Sequence, residues 1–210
     1  MLKNKKIKFI LASASPRRKE LIGHLKIPFK ILTSNIDEIS HETSPDLFAV
    51  DIATQKGMAV FSTSHEEGDI FLVSSDTVVS LAGKIYGKPK NAVEAEQFLN
   101  ELAGKTHSVF TGVFMLLRID GEIFKTSFVE ETKVTFNNID EELMKNYIAT
   151  RDSLDKAGAY GIQGPSLTFI SKVEGDYANV VGFPLSRFID VAQTFFETHL
   201  KKKEMWLKYF

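Results

Sequence analysis

Along the 210 residues, short continuous apolar runs alternate with stretches in which apolar positions recur at helical spacing. IKFILA at 7–12 reads as a buried strand, and Ser15-Pro16 then supplies an N-cap and an N1 proline for a helix to about Leu25. A short strand at Phe29–Thr33 leads through the acidic loop Ser34-Asn35-Ile36-Asp37-Glu38, and Ser44-Pro45 starts a longer helix ending near Ser62. Gly68-Asp69 opens IFLVSS, a central strand by its unbroken apolar character, with Asp76 just past its end. Gly83 marks a turn, Gly87-Lys88-Pro89 a break, and Asn91 with Glu94 a capping box for a helix that Gly104 stops.

Residues 106–119 and 122–136 are rich in Val, Phe and Thr. The Asp120-Gly121 pair between them signals a tight hairpin turn. Asn138 with Glu141 predicts a further capped helix to about Thr150, followed by glycine-rich loops, a strand at 167–172 and a last amphipathic helix from near Leu185. Helices interleaved with both a parallel-type core strand and an antiparallel hairpin predict an α/β fold with a central mixed β-sheet flanked by helices. No repeat or linker divides the chain, so residues 1–200 are expected to form one domain. Residues 201–210 are expected to form a basic and aromatic tail in which Lys201-Lys202-Lys203 is a solvated helix end.

Charge narrows the partners. With 26 Lys and Arg against 27 Asp and Glu, the chain lacks the basic excess of a general nucleic-acid binder. It has no cysteine, so any metal must be held by oxygen or histidine ligands. The apolar part of the basic N-terminus is too short for a signal sequence, and no run is long enough to span a bilayer. A cytoplasmic protein without membrane or nucleic-acid partners is expected.

Arg17-Arg18-Lys19 places three cations in the opening turn of a helix, where the macrodipole favours anions. Two readings stand equal. Either a phosphate chain binds the free amides, the Ser15 hydroxyl and the guanidinium groups, or the side chains point to solvent and pair with acids such as Glu20. Asp76-Thr77 falls where open α/β sheets place ligands, and a carboxylate there can hold magnesium or orient water. On the residues alone, a local turn hydrogen bond is the commoner explanation for a strand-end aspartate. Asp37 and Glu38 are second-rank partners for the same metal. Lys56, Lys88 and Lys156 are surface lysines unless they converge with other basic groups. The loop 158–165 carries one amide side chain, Gln163, and fits neither GxGxxG nor a P-loop. His107 is the one histidine near these segments, and an isolated strand histidine is more often packed than functional.

LASASPRRKELI at 11–22, SSDTVV at 74–79, GKPKNAVEAEQFLNELAGKTHSVFTGV at 87–113, DKAGAYGIQG at 155–164 and YANVVGFPL at 177–185 together resemble the Maf family of nucleotide pyrophosphatases, in order and over nearly the whole chain to about residue 200. The resemblance implies a Maf/ITPase-like fold with two lobes around a deep groove, homodimers, a divalent metal (Mg, Mn or Co), and hydrolysis of a nucleoside triphosphate to monophosphate and pyrophosphate. It makes Asp76 the proton acceptor, with Arg18, Thr77 and Gln163 setting substrate choice. Ser13, Ser15, Arg17, Glu38, Lys56, Lys88, Asp155 and Lys156 match other groove positions, and the metal is assigned to Asp76 and Glu38. The DKAGAYGIQG motif resembles the dTTP/UTP branch, with CTP or modified pyrimidine nucleotides as further candidates, because a neutral glutamine can both donate and accept along a uracil or thymine edge. A pyrophosphatase for 7-methyl-GTP is one alternative. Because the family is linked to arrest of septum formation, a non-catalytic nucleotide-binding regulator of division is another.

Three positions depart from the family pattern. Ser74-Ser75 stands where Gly-Ala is usual, Gly57 where alanine is usual, and Arg151-Asp152-Ser153-Leu154 where a Glu-Pro lead-in is usual. If that glutamate helps hold the ion, Asp152 weakens the metal site.

Overall fold

The computed structural model describes residues 6–33, 35–200 and 204–210. In the apolar run at the start, β1 (Lys8–Ala12) lies parallel to β2 (Lys30–Leu32) on one side and to β3 (Ile70–Leu81) on the other. Its last four residues are buried, as a strand covered on both faces requires. The strands β4 (Lys84–Tyr86), β5 (Thr106–Ile119), β6 (Glu122–Phe136) and β7 (Ile170–Glu174) pair antiparallel. The sheet order is β2-β1-β3-β5-β6-β7, with β4 also on β3. The expected mixed sheet is therefore present. The Asp120-Gly121 turn closes the β5–β6 hairpin with both residues at positive φ, 49° and 88°.

Helices α1 (Pro16–Gly23), α2 (Pro45–Thr63), α3 (Ala92–Leu102), α4 (Glu141–Ala149), α5 (Tyr177–Val181) and α6 (Leu185–Leu200) cover the sheet. On one face Phe9, Phe71, Met115, Phe188 and Phe196 pack together, and on the other Ala53 and Val60 of α2 meet Ile10, Leu72 and Leu116. A third cluster joins Leu99 of α3 and Tyr147 of α4 to Val79, Val109 and Val134 at the far end of the sheet. Gly112 brings α2 close to β5, because a Cβ there would stand 2.4 Å from the Ala49 backbone carbonyl. No described helix is long and apolar enough to cross a membrane.

Several local expectations are corrected. Asp76 does not follow the central strand but lies inside it, since β3 continues to Leu81 by pairing with β5, with Asp76 opposite Gly112. The apolar pattern pauses at Ser74-Ser75, yet the backbone ladder does not. The cap of α4 is Asp140, whose side chain accepts the Glu142 N–H at 2.8 Å, rather than Asn138. Glu94 takes the N–H of Lys90 instead of that of Asn91, so the box at α3 closes one residue early. Pro165 starts a 3₁₀ turn over Pro165–Thr168, which moves the strand expected at 167–172 to Ile170–Glu174. Asp176 caps the short α5, which the pattern did not suggest.

The segment assigned to a tail is part of the core at its far end. Trp206 is fully buried against Phe9, Phe71, Phe188 and Phe196, and the Ile7 N–H donates to the Tyr209 carbonyl at 2.8 Å. Its aromatic side chains, not its lysines, decide its position. Lys201, Lys202 and Lys203 lie outside the described residues.

Candidate active site

The pairing of β3 leaves a notch. On the edge facing β1, β3 is paired from Ile70 to Val73, and β4 takes up pairing again only at Val79 to Leu81. Around the stretch between them lies a groove of about 420 Å³, a volume suited to a small organic ligand. Because side chains alternate along a strand, Asp76 faces α2 while Thr77 faces α1 and α5, and the open edge lets one ligand reach both.

Every site residue picked out from the family motifs lines this groove: Ser13, Ser15, Arg17, Arg18, Glu38, Lys56, Asp76, Thr77, Lys88, Asp155, Lys156 and Gln163. Six segments carry them, from the end of β1 to the loop after α4. At the end of β1, the Ser13 hydroxyl accepts the Ser15 N–H at 3.2 Å, and the Ser15 hydroxyl accepts the Arg18 N–H at 3.4 Å, capping α1. The cap puts Arg17 and Arg18 on the groove wall. Arg17 Nη1 donates to Asp155 Oδ2 at 3.1 Å. Arg18 donates from Nε to the Gly182 carbonyl at 2.9 Å and from Nη2 to the Thr77 hydroxyl at 3.2 Å.

Asp76 is 8% exposed. Burial pushes its carboxyl above the ordinary aspartate range, against the pull of Lys56 and Arg18. Lys56 Nζ lies 2.7 Å from Asp76 Oδ1 and 2.8 Å from Glu38 Oε1, so both carboxylates converge on one cation. Desolvation lowers the pKa of Arg18, with Asp76 opposing that shift. Partial burial works against ionising Asp155, but hydrogen bonds from Lys156 and Arg17 hold its carboxyl below the usual range.

The lysines meet the condition set for them, convergence with other basic groups. Lys56, Lys88 and Lys156 all reach the groove that holds Arg17 and Arg18. Three other candidates separate from it. Asp37 is exposed and does not line the groove. His107 is buried, with Nε2 2.8 Å from the Tyr160 hydroxyl and its ring against Phe136, and burial lowers its pKa to about 4. It is a packed residue. Asp152 does not join Asp76 and Glu38; it accepts from Lys156 at 2.9 Å and from the Tyr147 hydroxyl at 3.1 Å, so the departure there bears on how Lys156 is held.

Residue reading missed Thr111 and Asn179. Both are fully buried polar residues behind Thr77, and nothing local in the sequence distinguishes them.

An α/β sheet notched around a buried carboxylate, with five cationic side chains on the walls, defines a binding protein or enzyme for a multiply charged anion. The chain belongs to the family described as Maf-like protein, whose pattern it matches over residues 8–195. A dTTP/UTP pyrophosphatase of Bacillus cytotoxicus is 44% identical over 183 residues, covering 87% of this chain and 92% of that protein. A dTTP/UTP pyrophosphatase of a Thermoanaerobacter species is 40% identical over 195 residues, covering 92% of this chain and 100% of that protein. The solved structure of a HAM1 protein from Coxiella burnetii aligns over 88% of this chain and 98% of its own at 12% identity. Its TM-score of 0.40 is too low to inform function.

Proposed function

We propose that this protein is a nucleoside triphosphate pyrophosphatase that hydrolyses dTTP and UTP to the monophosphate and pyrophosphate. The observation that carries the reading is the placement of buried Asp76 in a groove ringed by Arg17, Arg18, Lys56, Lys88 and Lys156. The cations outnumber the groove's three carboxylates, Glu38, Asp76 and Asp155, and leave it a positive excess suited to a polyphosphate. Asp76, the buried carboxylate among them, is out of place for binding alone, because it repels the ligand. It has a use when water must be oriented and deprotonated beside the α-phosphorus.

Arg17 and Lys156 come from different segments and share Asp155, so a polyphosphate reaching them exchanges one shared carboxylate for its own oxygens. Arg18 is held by Gly182 and Thr77 with its fork fixed, which suits it to contact the ligand without reordering. Asp76 accepts the proton of the attacking water, and the cations stabilise the charge that develops on the phosphoryl and leaving-group oxygens.

A divalent cation fits the donor set. Asp76 and Glu38 already meet on a single cation, the Lys56 ammonium. Among the described residues no cluster of three or more His, Asp or Glu side chains exists, so substrate phosphate and water must complete the shell, as they commonly do for magnesium. Asp76 and Glu38 would hold the ion, whose chemistry when bound is to neutralise phosphate charge.

The test is incubation with dTTP, UTP, CTP, 7-methyl-GTP and the purine triphosphates under Mg, Mn and Co, with both products measured. Monophosphate and pyrophosphate in equal amounts from dTTP and UTP are expected. Orthophosphate release, or binding without turnover, would reject the reading.

A further inference from the structure

Thr77 does not stand alone in the groove wall. Behind it, a closed ring of hydrogen bonds runs through four elements, α1, β3, β5 and α5. Arg18 Nη2 donates to Thr77 Oγ1 at 3.2 Å, Thr77 Oγ1 and Thr111 Oγ1 are 2.9 Å apart, and Thr111 Oγ1 donates to the Asn179 carbonyl at 3.1 Å. The Asn179 carbonyl also accepts the Gly182 N–H at 3.0 Å, and the Gly182 carbonyl accepts Arg18 Nε at 2.9 Å. Asn179 is itself fixed, since its amide donates to the Val109 carbonyl and to Thr132 Oγ1, each at 3.1 Å.

Proton counting gives this ring a direction. A threonine hydroxyl has one proton. The Asn179 carbonyl can only accept, so the Thr111 proton is committed to it. Thr111 can then meet Thr77 only as an acceptor, and the Thr77 proton must point to Thr111. Arg18 can only donate, so it takes one of the Thr77 lone pairs. Thr77 is left with one lone pair and no proton to offer. Thr111 and Asn179 are fully buried, so water does not scramble the arrangement.

We propose that Thr111 is a positioning residue for base selection: by holding the Thr77 proton it makes Thr77 an obligate acceptor, so the groove takes a pyrimidine that offers an N–H at ring position 3. Uracil and thymine carry that proton. Cytosine presents a lone pair at the same position, and two facing lone pairs leave a desolvated group unpaired. This deepens the pyrophosphatase reading and rests on it. It assigns selection between uracil and cytosine to a residue that never touches the base, while Gln163, which can donate or accept, tolerates either.

The experiment measures binding of the non-hydrolysable α,β-imido analogues of UTP and CTP, with magnesium, by titration calorimetry. The wild-type protein is expected to bind the UTP analogue at least about tenfold more tightly, the size of one unpaired buried polar group. Thr111→Val keeps the shape but can neither accept nor donate, freeing the Thr77 proton to turn toward the ligand, and should bring the affinity ratio close to one. Thr111→Ser keeps the hydroxyl and should keep the preference. Thr111→Cys, a weak acceptor, is the substitute if the valine variant does not melt as a folded protein. A merely structural role would weaken both ligands alike, and an unchanged ratio in a folded Thr111→Val or Thr111→Cys variant overturns the proposal. Equal binding of the two analogues by the wild-type protein overturns it as well, with the pyrophosphatase reading untouched. Binding of neither removes that reading and this inference together.

Discussion

Gly57 and Ser74 fill one space between α2 and β3: a Cβ on Gly57 would stand 2.5 Å from Ser74 Oγ, which donates to the Ala53 carbonyl at 2.6 Å. The two departures from the family pattern are thus one change, a methyl group removed from the helix and a hydroxymethyl added to the strand. Gly57→Ala should destabilise the protein by up to about 2 kcal/mol, because overpacking costs ~1–3 kcal/mol and the better helix propensity of alanine offsets about 1. Phe114 also lies 2.5 Å from the added carbon and must shift. Ser74→Gly should cost less in the Gly57→Ala background than alone, by about 0.5 kcal/mol or more. Urea unfolding of the four proteins in this cycle tests it, and additivity would show that the two sites are not coupled.

Asp76→Asn should lower turnover by about 10²- to 10⁴-fold, the range for a lost general base. Pyrophosphate affinity should stay within a few-fold of wild type, because the groove cations remain. Loss of both together would point to a collapsed site instead.

Asp155 sits between Arg17 at 3.1 Å and Lys156 at 2.7 Å and is largely exposed. On the proposed reading it occupies cations that phosphate must win. Asp155→Asn should raise pyrophosphate affinity by about two- to fivefold, the worth of an exposed ion pair. Calorimetric titration with pyrophosphate reads this directly, and weaker binding would show that Asp155 orders the two cations more than it competes for them.

His107 gives stability a dependence on pH. Its folded pKa is about 4 against an ordinary 6.5, because burial disfavours the charged ring. Stability from this group is therefore complete above pH 6.5 and is lost as pH falls toward 4, by about 3 kcal/mol in total. The difference between wild type and His107→Gln in chemical unfolding, followed from pH 7 to pH 4, should carry this slope. A flat difference would contradict it.

Trp206→Ala should destabilise by about 3–5 kcal/mol, the cost of removing a large buried aromatic side chain. A chain ending at residue 204 should lose at least as much. Thermal melting of both proteins checks whether the last residues belong to the fold or merely follow it.

The groove was more legible in the sequence than the sheet that builds it. Ser15, Pro16 and the arginines announce themselves within four residues, because capping is local chemistry, and the glycine-rich loop carrying Gln163 is equally local. Convergence of Lys56, Lys88 and Lys156 was not readable from spacing and came only from resemblance. The place of Asp76 was misread because the apolar run falters at Ser74-Ser75, whereas strand continuation there depends on β5, more than thirty residues away in the chain. Asn179 lies 68 residues from Thr111, so no pattern within either segment reveals their bond. The burial of Trp206 could not be read from its segment, because it depends on Phe9, Phe71 and Phe188, which lie far from it in the chain.

The notch in the edge of β3 ties two properties of this protein to one geometric parity. Asp76 meets Lys56 on one side of the sheet, where we place the chemistry, and Thr77 meets Arg18 on the other, where we place selection. A strand displaced by a single residue against β5 would trade them, sending the carboxylate toward Arg18 and the hydroxyl toward Lys56. The eleven residue pairs that join β3 to β5 from Ile70 to Ser80 therefore guard meaning as well as stability. On the proposed roles, they keep the question of which base has entered apart from the question of which bond is cut.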